Sequence, residues 1–163
     1  PAPLPYSISD FVDASELFMG LRRFLATHRG VFVLHLDEDQ LRFDLDPDLS
    51  TVFEEIPGVL ERLISAHDAV AELGFFEQGT DIALRIKRNE LRLRLQIIKG
   101  HSVGQRFANL GRIYECSLPT FCSEWCRFAR VLLVAFASLE PALASTESYK
   151  EFERRLDAIE QWI

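Results

Sequence analysis

Residues 75–98, FFEQGTDIALRIKRNELRLRLQII, decide the fold class because apolar and polar side chains alternate along them. The apolar side of the alternation comprises Leu84, Ile86, Leu91, Leu93, Leu95 and Ile97. The polar side comprises Arg85, Lys87, Arg92, Arg94 and Gln96. A period of two is typical of β-strands, and a two-residue turn at either Arg88–Asn89 or Asn89–Glu90 keeps the two faces matched. The stretch therefore predicts a β-hairpin with one buried and one solvated face, while its register stays open.

The segments on either side of this hairpin predict more strands and several helices. Residues 31–46 alternate in the same way around the turn DEDQ and predict a first hairpin, which Pro47 ends. Residues 70–77 and the segment RIYECS predict two further strands. Apolar residues at helical spacing predict four helices, over residues 7–29, 57–64, 119–139 and 149–163.

The predicted order of elements is helix, two strands, helix, three or four strands and two helices. Hairpins build antiparallel sheets, and amphipathic helices bury their apolar stripes against such a sheet. We therefore expect a single α+β domain over residues 1–163. Its antiparallel sheet is expected to have about five to six strands, with the helices packed on one face.

The composition is typical of a folded, acidic globular chain. Of its 163 residues 48% are hydrophobic, and the formal net charge is −7. An acidic balance disfavours general attraction to phosphate backbones or anionic membranes and favours a basic partner. Three cysteines, an odd number, predict a reducing compartment instead of a disulfide framework. The first ten residues predict no secretion signal, and the most apolar segment, 131–139, is too short to span a bilayer, so we expect a cytoplasmic protein.

Four basic residues of the second hairpin have two interpretations. They form either the solvated face of a sheet, balanced by acidic neighbours such as Asp44 and Asp46, or a surface that binds nucleic-acid phosphates. Nucleic-acid platforms interleave exposed aromatic residues for base stacking, and these strands place none beside the basic residues. The first interpretation is therefore favoured. The four residues are Arg85, Lys87, Arg92 and Arg94.

The densest acidic cluster lies in and after the first hairpin. A concentrated negative patch accelerates the capture of a positively charged protein, so we expect these residues to contact a protein partner. A solubilising hairpin edge explains the same residues equally well. The offsets also resemble a calcium loop, but Leu49 occupies the position that needs glycine, and no metal site is expected. The cluster comprises Asp37, Glu38, Asp39, Asp44, Asp46 and Asp48.

Catalytic motifs are not evident in the sequence, and we expect a protein that is not an enzyme and needs no cofactor. The sequence contains no glycine-rich phosphate loop, no G-x-S-x-G elbow and no H-E-x-x-H motif. Cys122 and Cys126 are expected to be small buried core residues. The alternative is a small enzyme that uses one of these cysteines as a nucleophile with His101 as its base.

A family resemblance adds a functional expectation. The segment FFEQGTDIALRIKRNELRLRL, with its aromatic strand, E-Q-G-T turn and amphipathic hairpin, resembles small bacterial immunity-type proteins of polymorphic-toxin and contact-dependent inhibition systems. The helical segments PTFCSEWCRFARVLLVAFASLEPAL and YKEFERRLDAIEQWI are similar to the end of such proteins. The resemblance implies a cytoplasmic protein that binds one cognate toxin and blocks it without chemistry of its own.

Overall fold

The computed structural model describes residues 15–28, 30–75, 82–99 and 111–163. Helix α1 (Glu16–Thr27) begins after Ser15, whose hydroxyl accepts a hydrogen bond from the backbone N–H of Phe18 at 2.9 Å. This side-chain cap satisfies one of the free N–H groups at the helix start. The expected helix start at Ser7 lies outside the described residues.

The first hairpin forms where the alternation predicts it. Strands β1 (Val31–Leu36) and β2 (Asp39–Asp44) pair antiparallel around a two-residue turn. Asp37, the first turn residue, has a φ of 52°, a left-handed conformation that aspartate tolerates better than most residues. Strand β2 ends before Pro47, as expected for a residue that cannot donate to a ladder.

The chain between the two hairpins is almost continuously helical. A kinked turn (Leu45–Leu49) in which Asp46 is extended, the single-turn helix α2 (Ser50–Val52) and a 3₁₀ turn (Phe53–Glu55) lead into α3 (Ile56–Ser65). Pro57 lies in the first turn of α3, where its missing N–H is not needed, so the expected helix start there is confirmed.

The second hairpin belongs to a separate, four-stranded antiparallel sheet. Its strands are β3 (Val70–Phe75), β4 (Ile82–Asn89), β5 (Arg92–Lys99) and β6 (Ile113–Ser117), in that spatial order. The α+β class is confirmed, but the described strands form one sheet of four and one of two instead of a single sheet. The reason is that β1 and β2 pair only with each other and place their apolar face over the larger sheet.

The turn between β4 and β5 lies one residue later than Asn89–Glu90 and two residues later than Arg88–Asn89, the two positions expected from the sequence. Asn89 pairs with Arg92, so the turn residues are Glu90 and Leu91. Leu91 is exposed in this turn and does not join the apolar face. Arg88 lies opposite Leu93 on the inner face of the sheet, where it is 4% exposed.

Two long helices complete the fold on the inner face of the sheet. Helix α4 (Leu118–Leu139) follows β6 directly and contacts β6 and α3. Helix α5 (Glu147–Trp162) packs on α3 and α4, with the rings of Phe53 and Phe152 stacked at 4.8 Å. Within the described ranges, no helix combines the length and the apolar character that crossing a membrane requires.

Candidate functional site

A groove along the outer edge of the first hairpin is the candidate site. Two cavities of about 260 and 220 Å³ lie side by side in it. The first lies between β1 and α4, and the second extends to β6. Both cavities share Leu34, His35, Glu124 and Trp125, so they form one continuous depression. Between them they follow β1 from Phe32 to the turn residue Asp37.

Aromatic side chains form the floor of this groove. The ring of Trp125 lies 6.1 Å from Phe32, 5.9 Å from Phe121 and 6.0 Å from Phe128. Spacings of three and four residues place the three α4 members on one helix face, which packs toward β1. Phe32 reaches the same cluster because strand alternation points it inward from β1. Three of these rings are buried and that of Phe128 is half-buried, so the floor of the channel is apolar and only partly open to solvent.

The rim of the groove carries several carboxylates. Asp37 and Glu38 are exposed at the hairpin tip, and within the described part of the chain neither has an ion-pair partner. Glu124 on α4 pairs with Arg127 at 2.5 Å, and Glu115 on β6 lies 3.6 Å from Arg94. The hairpin tip is therefore the part of the rim where negative charge is least compensated.

The structure divides the acidic cluster expected to bind a partner. Asp39 accepts hydrogen bonds of 2.7 Å from both Arg112 and Tyr114, so it joins β2 to the larger sheet. Burial, followed by this hydrogen bond, raises the pKa of Tyr114 to about 12. Asp46 accepts from Ser50 at 2.9 Å. These carboxylates have structural contacts.

The remaining members differ in exposure. Asp48 is 3% exposed and accepts a hydrogen bond from the backbone N–H of Asp44 at 3.1 Å, so it cannot lie on a contact surface. The side chain of Asp44 is exposed at the end of β2. Only Asp37 and Glu38 are both exposed and close to the groove, and contact between them and a partner stays a prediction.

The basic residues of the second hairpin lie on the outer face of the four-stranded sheet. Arg85 pairs with Glu72 of β3 at 2.7 Å, and the partner of Arg94 is Glu115 of β6. The acidic neighbours therefore come from the flanking strands, and the expected balance by Asp44 and Asp46 of the first hairpin is wrong. The reason is that the first hairpin lies outside this sheet.

Two basic residues of this face remain uncompensated. Lys87 lies directly opposite Arg94, and Arg92 lies opposite Asn89 and Ser117. Neither Lys87 nor Arg92 forms an ion pair with another described residue. The paired strands place no aromatic side chain beside them on this face, so the surface could attract an anion but offers no platform for base stacking.

The cysteines are placed as core residues. Cys122 and Cys126 lie one turn apart on the buried side of α4 and are fully buried. Burial is the main cause that raises the pKa of Cys122 to about 12 and that of Cys126 to about 11. A protonated thiol without solvent access is a poor nucleophile, which argues against the cysteine-based enzyme. His101, the base of that alternative, lies outside the described residues.

The sequence does not predict the groove, although it contains the spacing of the aromatic residues that border it. Phe121, Trp125 and Phe128 follow helical spacing and were expected to be core; that they also border a channel depends on where β1 lies. Within the described ranges, no group of histidine, cysteine and carboxylate side chains could hold a metal ion. The chain matches no protein-family model, no curated protein and no solved structure.

Proposed function

We propose that the chain is an immunity-type protein, which binds a cognate bacterial toxin in the cytoplasm and neutralises it without catalysis. The observation that carries the proposal is the groove beside β1, in which aromatic rings form the floor and carboxylates the rim. Interfaces with high affinity typically have an apolar centre surrounded by polar residues. The sequence resemblance to immunity-type proteins supports the same function.

Charge supports a basic partner. The chain carries a net charge of −7, and the hairpin tip beside the groove holds two uncompensated carboxylates, Asp37 and Glu38. A basic toxin surface, such as that of a nuclease that binds phosphates, would be attracted to this region. The thiols of Cys122 and Cys126 support a role without chemistry, because both are buried and burial raises their pKa to about 12 and about 11.

Co-expression in bacteria tests the proposal. The gene adjacent to that of this chain would be expressed from an inducible promoter, with and without the chain, and growth recorded. We expect the neighbouring product to stop growth, the chain to restore it, and the two proteins to coelute on size exclusion. Absence of both protection and a complex would contradict the proposal.

A charge reversal with a matched control locates the contact. Glu124→Lys places a positive charge on the rim of the groove and breaks only the ion pair with Arg127, three residues along the helix. Glu151→Lys breaks the equivalent pair with Arg154 on α5, which does not border the groove. We expect Glu124→Lys to weaken the complex by about tenfold and Glu151→Lys to leave it unchanged.

A second candidate function is the binding of nucleic acid on the outer face of the four-stranded sheet. The observation that favours it is the direct opposition of Lys87 and Arg94, two like charges that a phosphate would relieve. Binding of a duplex should then weaken steeply as salt is raised, because phosphate contacts release counterions. Lys87→Gln combined with Arg92→Gln should remove the binding. Affinity that does not change with salt concentration would exclude this candidate.

A further inference from the structure

Among the described strands, none pairs with the outer edge of β1. The first hairpin is a sheet of only two strands, so β1 has β2 on one side and the groove on the other. An edge strand presents a row of N–H and C=O groups to any extended chain that approaches it. Natural proteins usually cover or interrupt such edges, whereas β1 borders an open channel over most of its length.

Hairpin geometry identifies the backbone groups that face the channel. The two-residue turn makes Leu36 and Asp39 a hydrogen-bonded pair, and pairs of this kind alternate along an antiparallel ladder. Phe32 and Leu34 therefore bond to β2, while the N–H and C=O groups of Val33 and His35 point away from it. Among the described residues, no backbone group outside the hairpin bonds to Val33 or His35.

From these features we infer that the groove receives an extended segment of the protein partner, which adds to β1 as a third strand. The inference rests on the proposed function, in that the partner is taken to be the toxin. Backbone hydrogen bonds to Val33 and His35 hold the segment. Its side chains alternate, so one set reaches the aromatic floor at Trp125 and the other set points outward.

The charges around the groove define which segment fits. Asp37 closes the groove at the turn, and Glu124 stands on its helical side. The occupant is therefore an extended peptide in which apolar residues alternate with polar ones and at least one Lys or Arg lies near the hairpin tip. Backbone atoms of β1 thus supply affinity for the segment, and the pockets of the groove supply specificity for its side chains.

A peptide library tests the inference without the toxin. The full chain would be immobilised and panned with phage that display random dodecapeptides, and the most enriched sequence would be synthesised. We expect enriched peptides to alternate apolar and polar residues and to carry Lys or Arg. Calorimetry would give Kd for the peptide and for the same peptide with alternate backbone amides N-methylated. N-methylation removes the ladder donors and should weaken binding at least about tenfold.

A variant pair on the protein side provides the matched control. Val33→Pro removes the N–H that faces the channel, and proline is tolerated at such edge positions because the ladder to β2 does not use it. Val33→Ala shortens the side chain and keeps the N–H. We expect Val33→Pro to weaken peptide binding at least about tenfold more than Val33→Ala does, because only Val33→Pro removes the backbone donor. The N-methylated peptide decides the question even if Val33→Pro does not fold.

Two results would overturn the inference. One is panning that enriches no peptide with measurable affinity for the full chain. The other is an enriched peptide whose affinity is unchanged by N-methylation. Failure of the proposed function has a different readout, since it concerns growth protection and complex formation with the neighbouring gene product. Protection by a toxin complex in which the amides of Val33 and His35 stay unprotected from hydrogen exchange would refute the strand addition alone.

Discussion

Arg88 is the residue whose role is least evident from its neighbours in the chain. Its guanidinium donates to the carbonyl oxygens of Leu63 at 2.6 Å and Ile64 at 2.8 Å, in the last turn of α3. A third bond of 3.3 Å reaches Ala66. The last carbonyl groups of a helix lack hydrogen-bond donors and carry partial negative charge. A buried guanidinium at this end supplies the donors and balances the charge. The side chain ties β4 to the end of α3.

Replacing Arg88 should therefore destabilise the fold strongly. Arg88→Met leaves buried carbonyl oxygens without donors, and we expect the free energy of unfolding to fall by about 3 kcal/mol in urea denaturation. Arg88→Lys keeps the charge but cannot reach all the carbonyls, so its loss should be intermediate. Arg85→Met, on the exposed side of the same strand, should cost less than about 1 kcal/mol. If Arg88→Met and Arg85→Met lowered the free energy of unfolding equally, the hydrogen bonds of Arg88 to the end of α3 would not stabilise the fold.

Glu90 offers a prediction in the opposite direction. It has a φ of 56° in the turn between β4 and β5, a conformation that costs a side-chain-bearing residue energy and glycine almost none. Glu90→Gly should raise the free energy of unfolding by about 1 kcal/mol. The neighbouring turn residue Leu91 has no positive φ, so Leu91→Gly should lower it by about 0.5 kcal/mol. Urea titrations measure the free energy of unfolding of both variants. A decrease for Glu90→Gly would contradict the argument that Glu90 is strained by its positive φ.

At the scale of elements, the sequence predicts local structure well because alternation and helical spacing are local properties. The two hairpins and helices α3, α4 and α5 lie in the segments where their sequence patterns predict them. Sheet membership is different, since backbone edges carry no sequence signal and the first hairpin could equally well have extended the larger sheet. The position of a two-residue turn is also ambiguous, and moving it changes which residues of β4 and β5 lie opposite each other.

The candidate site depends on this arrangement and was therefore beyond sequence reasoning. The sequence identifies the acidic residues of the first hairpin as candidates for binding a partner. Which of these carboxylates are available for that contact depends on which of them form hydrogen bonds within the fold. Asp39 and Asp48 both accept hydrogen bonds from within the fold, because the hairpin lies across the inner face of the sheet and its end turns into helix. The groove itself is formed by β1 against α4, two elements about ninety residues apart in the chain. No local sequence pattern predicts how far apart these two elements lie in the fold.

Helix α4 carries a pH-dependent prediction through its buried thiols. The pKa of Cys122 is raised from 9.0 to about 12 because burial disfavours the thiolate. Between these values the thiol ionises only in the unfolded chain, so the stabilisation is complete below pH 9 and is lost as pH rises toward 12. With reductant present, the free energy of unfolding should fall between pH 9 and 11. The double variant Cys122→Ala/Cys126→Ala should show a shallower decline, and identical slopes would mean that the thiols do not contribute.

At the scale of the whole molecule, the proposed complex gives charge and shape separable roles. The aromatic floor and the backbone edge of β1 act at contact distance and should govern dissociation. The net charge of −7 and the carboxylates of the hairpin tip act over longer distances and should govern association. Surface charges that steer encounters change the association rate and its salt dependence more than the lifetime of the complex.

Charge reversal at the hairpin tip separates these roles. In the double variant Asp37→Lys/Glu38→Lys, the association rate constant with the proposed toxin partner should fall about tenfold at low ionic strength, because attraction becomes repulsion. Its dissociation rate constant should change little, and the difference from the unmodified chain should shrink as salt screens the charges. The variant Asp68→Lys/Glu151→Lys alters the net charge equally at exposed positions that do not line the groove. Stopped-flow or biosensor kinetics would compare the two variants. If both slow association equally, attraction depends on the charge of the whole molecule and the hairpin tip has no local part in guiding the partner to the groove.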